Sequence, residues 1–148
     1  NVFELRAGVI VPTADLQDCL LQVLNSSTYE ALHQPDYSLV ANPFGSDYQN
    51  CTNFVLSVLM AAIYETDNRD LIDANIEAYF EPQTVRLGPL QRAFGPLFVR
   101  GVETSDHSGA IRTSTFGSLS RFMRAYKLSD TDFTITERGV LEQAALAN

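Results

Sequence analysis

The stretch at residues 36–65, DYSLVANPFGSDYQNCTNFVLSVLMAAIYE, decides the fold. It starts as an aromatic approach punctuated by Pro43 and Gly45, reaches Asn50-Cys51, and continues as an apolar run. Phe54, Val55, Leu56, Val58, Leu59, Met60, Ala61, Ala62 and Ile63 leave little polar surface, so the pattern predicts a helix buried at the centre of its domain. Asn50 suits the N-cap, where its side-chain oxygen can accept a first-turn amide. Cys51 then starts the helix, where unpaired amides and the positive end of the helix dipole favour a negatively charged group. A cysteine carried by a loop to the mouth of a buried helix is well placed to act as a nucleophile.

Upstream, residues 2–11 (VFELRAGVIV) read as a strand ending at Pro12. Thr13 or Asp15 can cap a helix to about Asn25, with Leu16, Cys19, Leu20 and Val23 on one face and Cys19 read as core. A short helical turn is expected at 29–33, before Pro35. Downstream, Asp67-Asn68-Arg69-Asp70 form a polar turn and cap for a helix marked by Leu71, Ile72, Ile76 and Tyr79 and ended by Pro82. A short strand at 84–87, a short helix at 88–94 and a strand at 97–102 follow. Next come a polar loop at 103–109 carrying His107, a helix at 118–126 with Leu119, Phe122 and Met123 inward, a strand at 132–136 and a terminal helix at 140–148. Separated helices and strands imply an α+β fold in a single domain, residues 1–148.

The 148 residues are 45% hydrophobic and 19% charged, as in a globular domain with a real core. A net charge of −8 disfavours nucleic acid and anionic membrane surfaces as partners. The longest apolar run, 54–64, is about half the ~20 residues of a membrane span. The chain starts at Asn1 and enters directly into a strand, the expected look of the C-terminal part of a longer, processed precursor.

A catalytic thiol needs a base and a group that stabilises the oxyanion. Cys51 is the candidate nucleophile and Gln49 the candidate oxyanion donor. His33 and His107 are the two histidines; His107, on a loop after a strand, is the candidate neighbour of the helix mouth, whereas the short tether of His33 points it away. Tyr37, Tyr48 and Asn50 are candidates for substrate contact, although capping explains Asn50 and loop packing explains the tyrosines equally well. Two cysteines and two histidines at these spacings give no metal motif, and the isolated glycines give no phosphate loop, so no cofactor is expected. A redox pair of Cys19 and Cys51 is a minor alternative.

The segment YSLVANPFGSDYQNCTNFVLSVL resembles the Asn-Cys segment of permuted papain-like proteins, a group that includes NlpC-type peptidases and relatives of lecithin:retinol acyltransferase. More closely, it resembles an uncharacterised bacterial family of exported proteins, over residues 7–12, 16–17, 37–53, 87–90 and 106–107. The resemblance implies a papain-like (permuted NlpC-type) fold, with the Cys51 helix packed on a small antiparallel sheet. It also implies a periplasmic or secreted location and a cysteine hydrolase or acyltransferase acting on an amide or thioester bond, with a peptide or peptidoglycan-like substrate. In permuted members the histidine precedes the cysteine, so the implied base lies on an upstream fragment of the same precursor, an expected partner. The alternative is a catalytically inactive binding or structural module that keeps the fold.

Overall fold

Helix α3 (Cys51–Ile63) runs through the middle of the protein, whose computed structural model describes residues 5–85 and 101–142. The Asn50 side chain caps it, accepting from the Asn53 amide at 2.8 Å. Leu56, Met60 and Ala61 are wholly buried, and each fully buried large apolar side chain favours folding by about 1.5–3 kcal/mol. Three of the other described helices add one apolar stripe each to this core. Helix α1 (Ala14–Leu24) contributes Leu16, with Cys19, Leu20 and Val23 half-buried. Helix α2 (Ser27–Ala31) starts earlier than the expected turn at 29–33, because the Ser26 hydroxyl accepts the Thr28 amide.

Helix α4 (Arg69–Tyr79), capped by Asn68 on the Leu71 amide, buries Ile72 and Ile76 and leaves Leu71 and Tyr79 half exposed. Strand β2 (Gln83–Val85) pairs antiparallel with β3 (Ile111–Thr113), Thr84 opposite Arg112. Helix α5 (Phe116–Ala125) starts with a reciprocal Thr115–Ser118 capping box and turns Leu119, Phe122 and Met123 inward.

The second sheet has the order β1-β4-β5. Strand β1 (Arg6–Pro12) pairs antiparallel with β4 (Ser129–Thr136), Val9 opposite Phe133. The register shifts between Val11 and Pro12, where proline has no amide to give the ladder. The Phe116 ring of α5 lies against Gly8, so closely that any side chain there would overlap the ring.

The fold is therefore α+β with small antiparallel sheets. One expectation is corrected: 140–148 does not begin as a helix, because β5 (Gly139–Glu142) returns along β4. Thr136 closes that hairpin, its hydroxyl donating to Gly139 O and accepting from the Arg138 amide, and Gly139 takes φ +122, which suits glycine. The strand β3 was not anticipated. The helix expected at 88–94 lies outside the described residues, as does most of the strand expected at 97–102.

Candidate functional site

Cys51 is the first residue of α3 and is exposed. At the start of a helix the Cys51 and Thr52 amides have no intrahelical acceptor, while the Asn53 amide is taken by Asn50 Oδ1. Asn50 is held from behind, Nδ2 donating to Leu39 O at 3.1 Å and Thr113 Oγ1 at 3.0 Å. Thr52 Oγ1 donates to Ser114 O at 2.7 Å, the Ser114 hydroxyl bonds the Asn53 side chain, and Asn53 Nδ2 donates to Ala41 O at 3.3 Å. This buried polar layer fixes the first turn of α3 to β3 and to the approach loop, and so fixes where the thiol stands.

The approach loop is itself sewn to residues 101–107. Leu39 N donates to Gly101 O at 2.7 Å, and Gly101 has φ +83 beneath the exposed Tyr37 ring, a position that suits glycine. Ser38 Oγ donates to Glu103 O at 2.7 Å and accepts the Glu103 amide at 3.0 Å. Asn42 bonds Asp106 twice, and Tyr48 OH lies 3.2 Å from Ser105 Oγ. His107 Nε2 is 2.8 Å from Val40 O; a carbonyl only accepts, so Nε2 carries the proton. The same nitrogen is 3.3 Å from Asp106 Oδ1, and the two side chains are 3% and 2% exposed.

These contacts sort the candidate residues. Cys51 borders an apolar groove of about 430 Å³ between β1, α1, α3 and α5, in which, among the described residues, Tyr29 is the other side chain bearing a polar group. His107 borders a separate cavity of about 240 Å³ with Thr104 and Ser108. Gln49 is buried, its Nε2 donating to Leu32 O at 3.0 Å and its Oε1 accepting the Gln34 amide at 3.0 Å, so its side chain braces the loop. Asn50 is the buried cap, Tyr48 is half-buried in the loop seam and Tyr37 is exposed above Gly101. None of Gln49, His107, Tyr37, Tyr48 or Asn50 lines the groove that Cys51 lines. The exposed His33 is not turned away from the helix: its ring lies 6.4 Å, edge-on, from Phe54, one turn beyond Cys51.

Sequence reasoning missed the groove. Its signal was the apolar character of Leu24, outside the expected stripe of α1 and 47% exposed; Val55, expected within the buried run of α3, is instead 46% exposed and lines the groove. Both cysteines are free; Cys19 faces a different cleft, of about 400 Å³, with Glu65 and Asp67. Among the described residues there is no cluster of His, Cys, Asp and Glu able to hold a metal, and no helix long and apolar enough to cross a membrane. At the far end of α3, Tyr64, Tyr79 and Tyr126 meet, with Tyr64 and Tyr79 stacked at 6.2 Å. Burial, then the neighbouring Tyr79 and Tyr126, push the Tyr64 hydroxyl above its ordinary pKa.

The family described as uncharacterized protein conserved in bacteria (DUF2145) matches residues 1–123, and the chain belongs to it. No curated protein and no solved structure matches the chain.

Proposed function

We propose, given that family membership, that the chain carries the nucleophile of a papain-like cysteine hydrolase or acyltransferase of the bacterial cell envelope. Cys51 attacks the carbonyl of an amide or thioester bond. The observation that supports this reading is that an exposed thiol stands on the first residue of the buried central helix, beside two amides with no intrahelical acceptor. Those amides, of Cys51 and Thr52, are the donors offered to the oxyanion, in the role first given to Gln49. The base follows from the permuted order of the resemblance: an imidazole from a segment preceding the cysteine helix. The envelope location rests on the same resemblance.

The second reading, an inactive binding or structural module, is favoured by the use of Gln49 and His107 as internal braces. Reaction with a peptide bearing a thiol-directed electrophile, followed by peptide mapping, separates the two. The first reading expects labelling at Cys51 that Cys51→Ser removes, with faster labelling when the preceding segment is present in the same polypeptide. Labelling no faster at Cys51 than at Cys19, with or without that segment, overturns it in favour of the second.

A further inference from the structure

The groove beside Cys51 gives the proposed nucleophile a substrate class. Ile10 and Pro12 of β1, Leu24 of α1, Val55 and Val58 of α3 and Met123 of α5 line it, with no charged side chain among the described residues. Its volume, about 430 Å³, falls in the range of sites for small organic ligands, roughly 300–1,000 Å³. A peptide laid in it would bring amides and carbonyls that need partners, and among the described residues the lining side chains offer only the Cys51 thiol and the Tyr29 hydroxyl. A hydrocarbon chain needs no partners and gains from every methylene it buries. The described lining is also neutral, in a chain of net charge −8, so it offers no charge to select a charged ligand.

We infer that the groove holds the aliphatic chain of an acyl thioester whose carbonyl lies at Cys51, which makes the thiol an acceptor of medium- or long-chain acyl groups. The inference rests on Cys51 as the nucleophile. In the transfer the Cys51 thiolate attacks the thioester carbonyl, a new carbon–sulfur bond forms, the original one breaks, and the leaving thiolate takes up the proton released by Cys51. Nothing is oxidised or reduced. A thiol–thioester exchange expels a good leaving group and so proceeds in this chain without an acid to protonate an amine.

The test offers the purified chain S-phenyl thioacetate and S-phenyl thiodecanoate separately and follows acylation of each cysteine by peptide mapping. Cys51 should take the decanoyl group at least ~10-fold faster than the acetyl group, a modest part of what about eight further buried methylenes can supply. Cys19, in its own cleft, is the internal reference for unspecific partitioning and should show no such preference. Val55→Asn and Leu24→Asn, both at half-exposed positions, should keep the fold and bring the decanoyl-to-acetyl ratio at Cys51 down to that of Cys19. Equal rates with the two esters at Cys51, the same preference at Cys19, or a ratio untouched by both variants overturns the acyl groove and leaves the nucleophile standing. Failure of both esters to acylate Cys51 overturns the nucleophile as well. A dimer by sedimentation that Val55→Asn converts to monomer makes the groove a contact between two copies and likewise overturns the proposal.

Discussion

Asn42 and Asp106 are joined twice, the Asn42 amide donating to Asp106 Oδ2 at 2.7 Å and its side-chain Nδ2 to Asp106 O at 3.0 Å. Removing the carboxylate leaves the Asn42 amide unpaired in a part-buried place, at a cost of roughly 1–3 kcal/mol. Asp106→Ala should therefore lower the stability measured by urea melts by that amount. Asp106→Asn keeps an acceptor and should lose less. Equal losses would mean that the pairing with Asn42 is not what Asp106 contributes.

His107 acts on the same seam from the neighbouring position. Its ring is buried against Val40 O, so His107→Ala orphans a carbonyl and should cost about 1–3 kcal/mol. Because His107 does not border the groove of Cys51, alkylation of that thiol in the folded protein should change little. A stable His107→Ala protein whose Cys51 no longer alkylates would instead make His107 the base and replace the permuted order with a cysteine-then-histidine one.

Asn50 and Cys51 are neighbours with opposite demands. Asn50→Ala removes a cap worth about 0.5–2 kcal/mol, together with the donors to Leu39 O and Thr113 Oγ1, so its loss should reach the upper end of that range. Cys51→Ser changes an exposed side chain and should stay within about 0.5 kcal/mol of the parent in the same melts. If the serine variant is the less stable of the two, the thiol is a packing group.

Leu56 tests the centrality of α3. It is fully buried among side chains of the core, so Leu56→Ala should cost about 2–5 kcal/mol by opening a cavity. A loss under ~1 kcal/mol would show that the surroundings collapse onto the gap and that the helix is peripheral to stability.

The parts of this fold that were legible in the sequence are those whose cause is local. Asn50, the polar turn at 67–70 and the spacing of Leu119, Phe122 and Met123 each act within one or two helical turns, and the structure caps and packs its helices there, with Asn68 the capping residue of that turn. Strand β3 was not legible: three residues with Arg112 in the middle carry no run, and pairing with Gln83–Val85 alone makes them a strand. A terminal helix was expected from Val140, but the Thr136 hairpin upstream turns residue 140 back along β4. The role of His107 could not be read because its acceptor, Val40, is 67 residues away along the chain. The groove is likewise made by β1, α1, α3 and α5 together, and no single helical pattern contains it.

Tyr64 supplies a prediction at high pH. Its hydroxyl holds its proton beyond the ordinary tyrosine value of about 10, through burial first and then the nearness of Tyr79 and Tyr126. A pKa raised on folding contributes stability that is complete below the unfolded value and is lost as pH rises through the folded one. Stability should thus decline from about pH 10 upward, and absorbance titration of the tyrosines should show Tyr64 ionising late. Tyr79→Phe should move that late step down without returning it fully to the ordinary value, because the burial remains. A step unmoved by the substitution would leave burial as the whole cause.

The pairing of Val9 with Phe133 spans 124 positions of the chain (133 − 9), and it has a kinetic consequence. Closing so long a loop is slow in entropic terms, so the helices around α3, whose contacts are nearer in sequence, can assemble before the sheet zips. During synthesis β1 emerges well before β4 and must wait, without this sheet partner, until β4 has left the ribosome. A chain arrested between the two strands would present that apolar strand, with Val9, Ile10 and Val11 in a row, to any other strand it met.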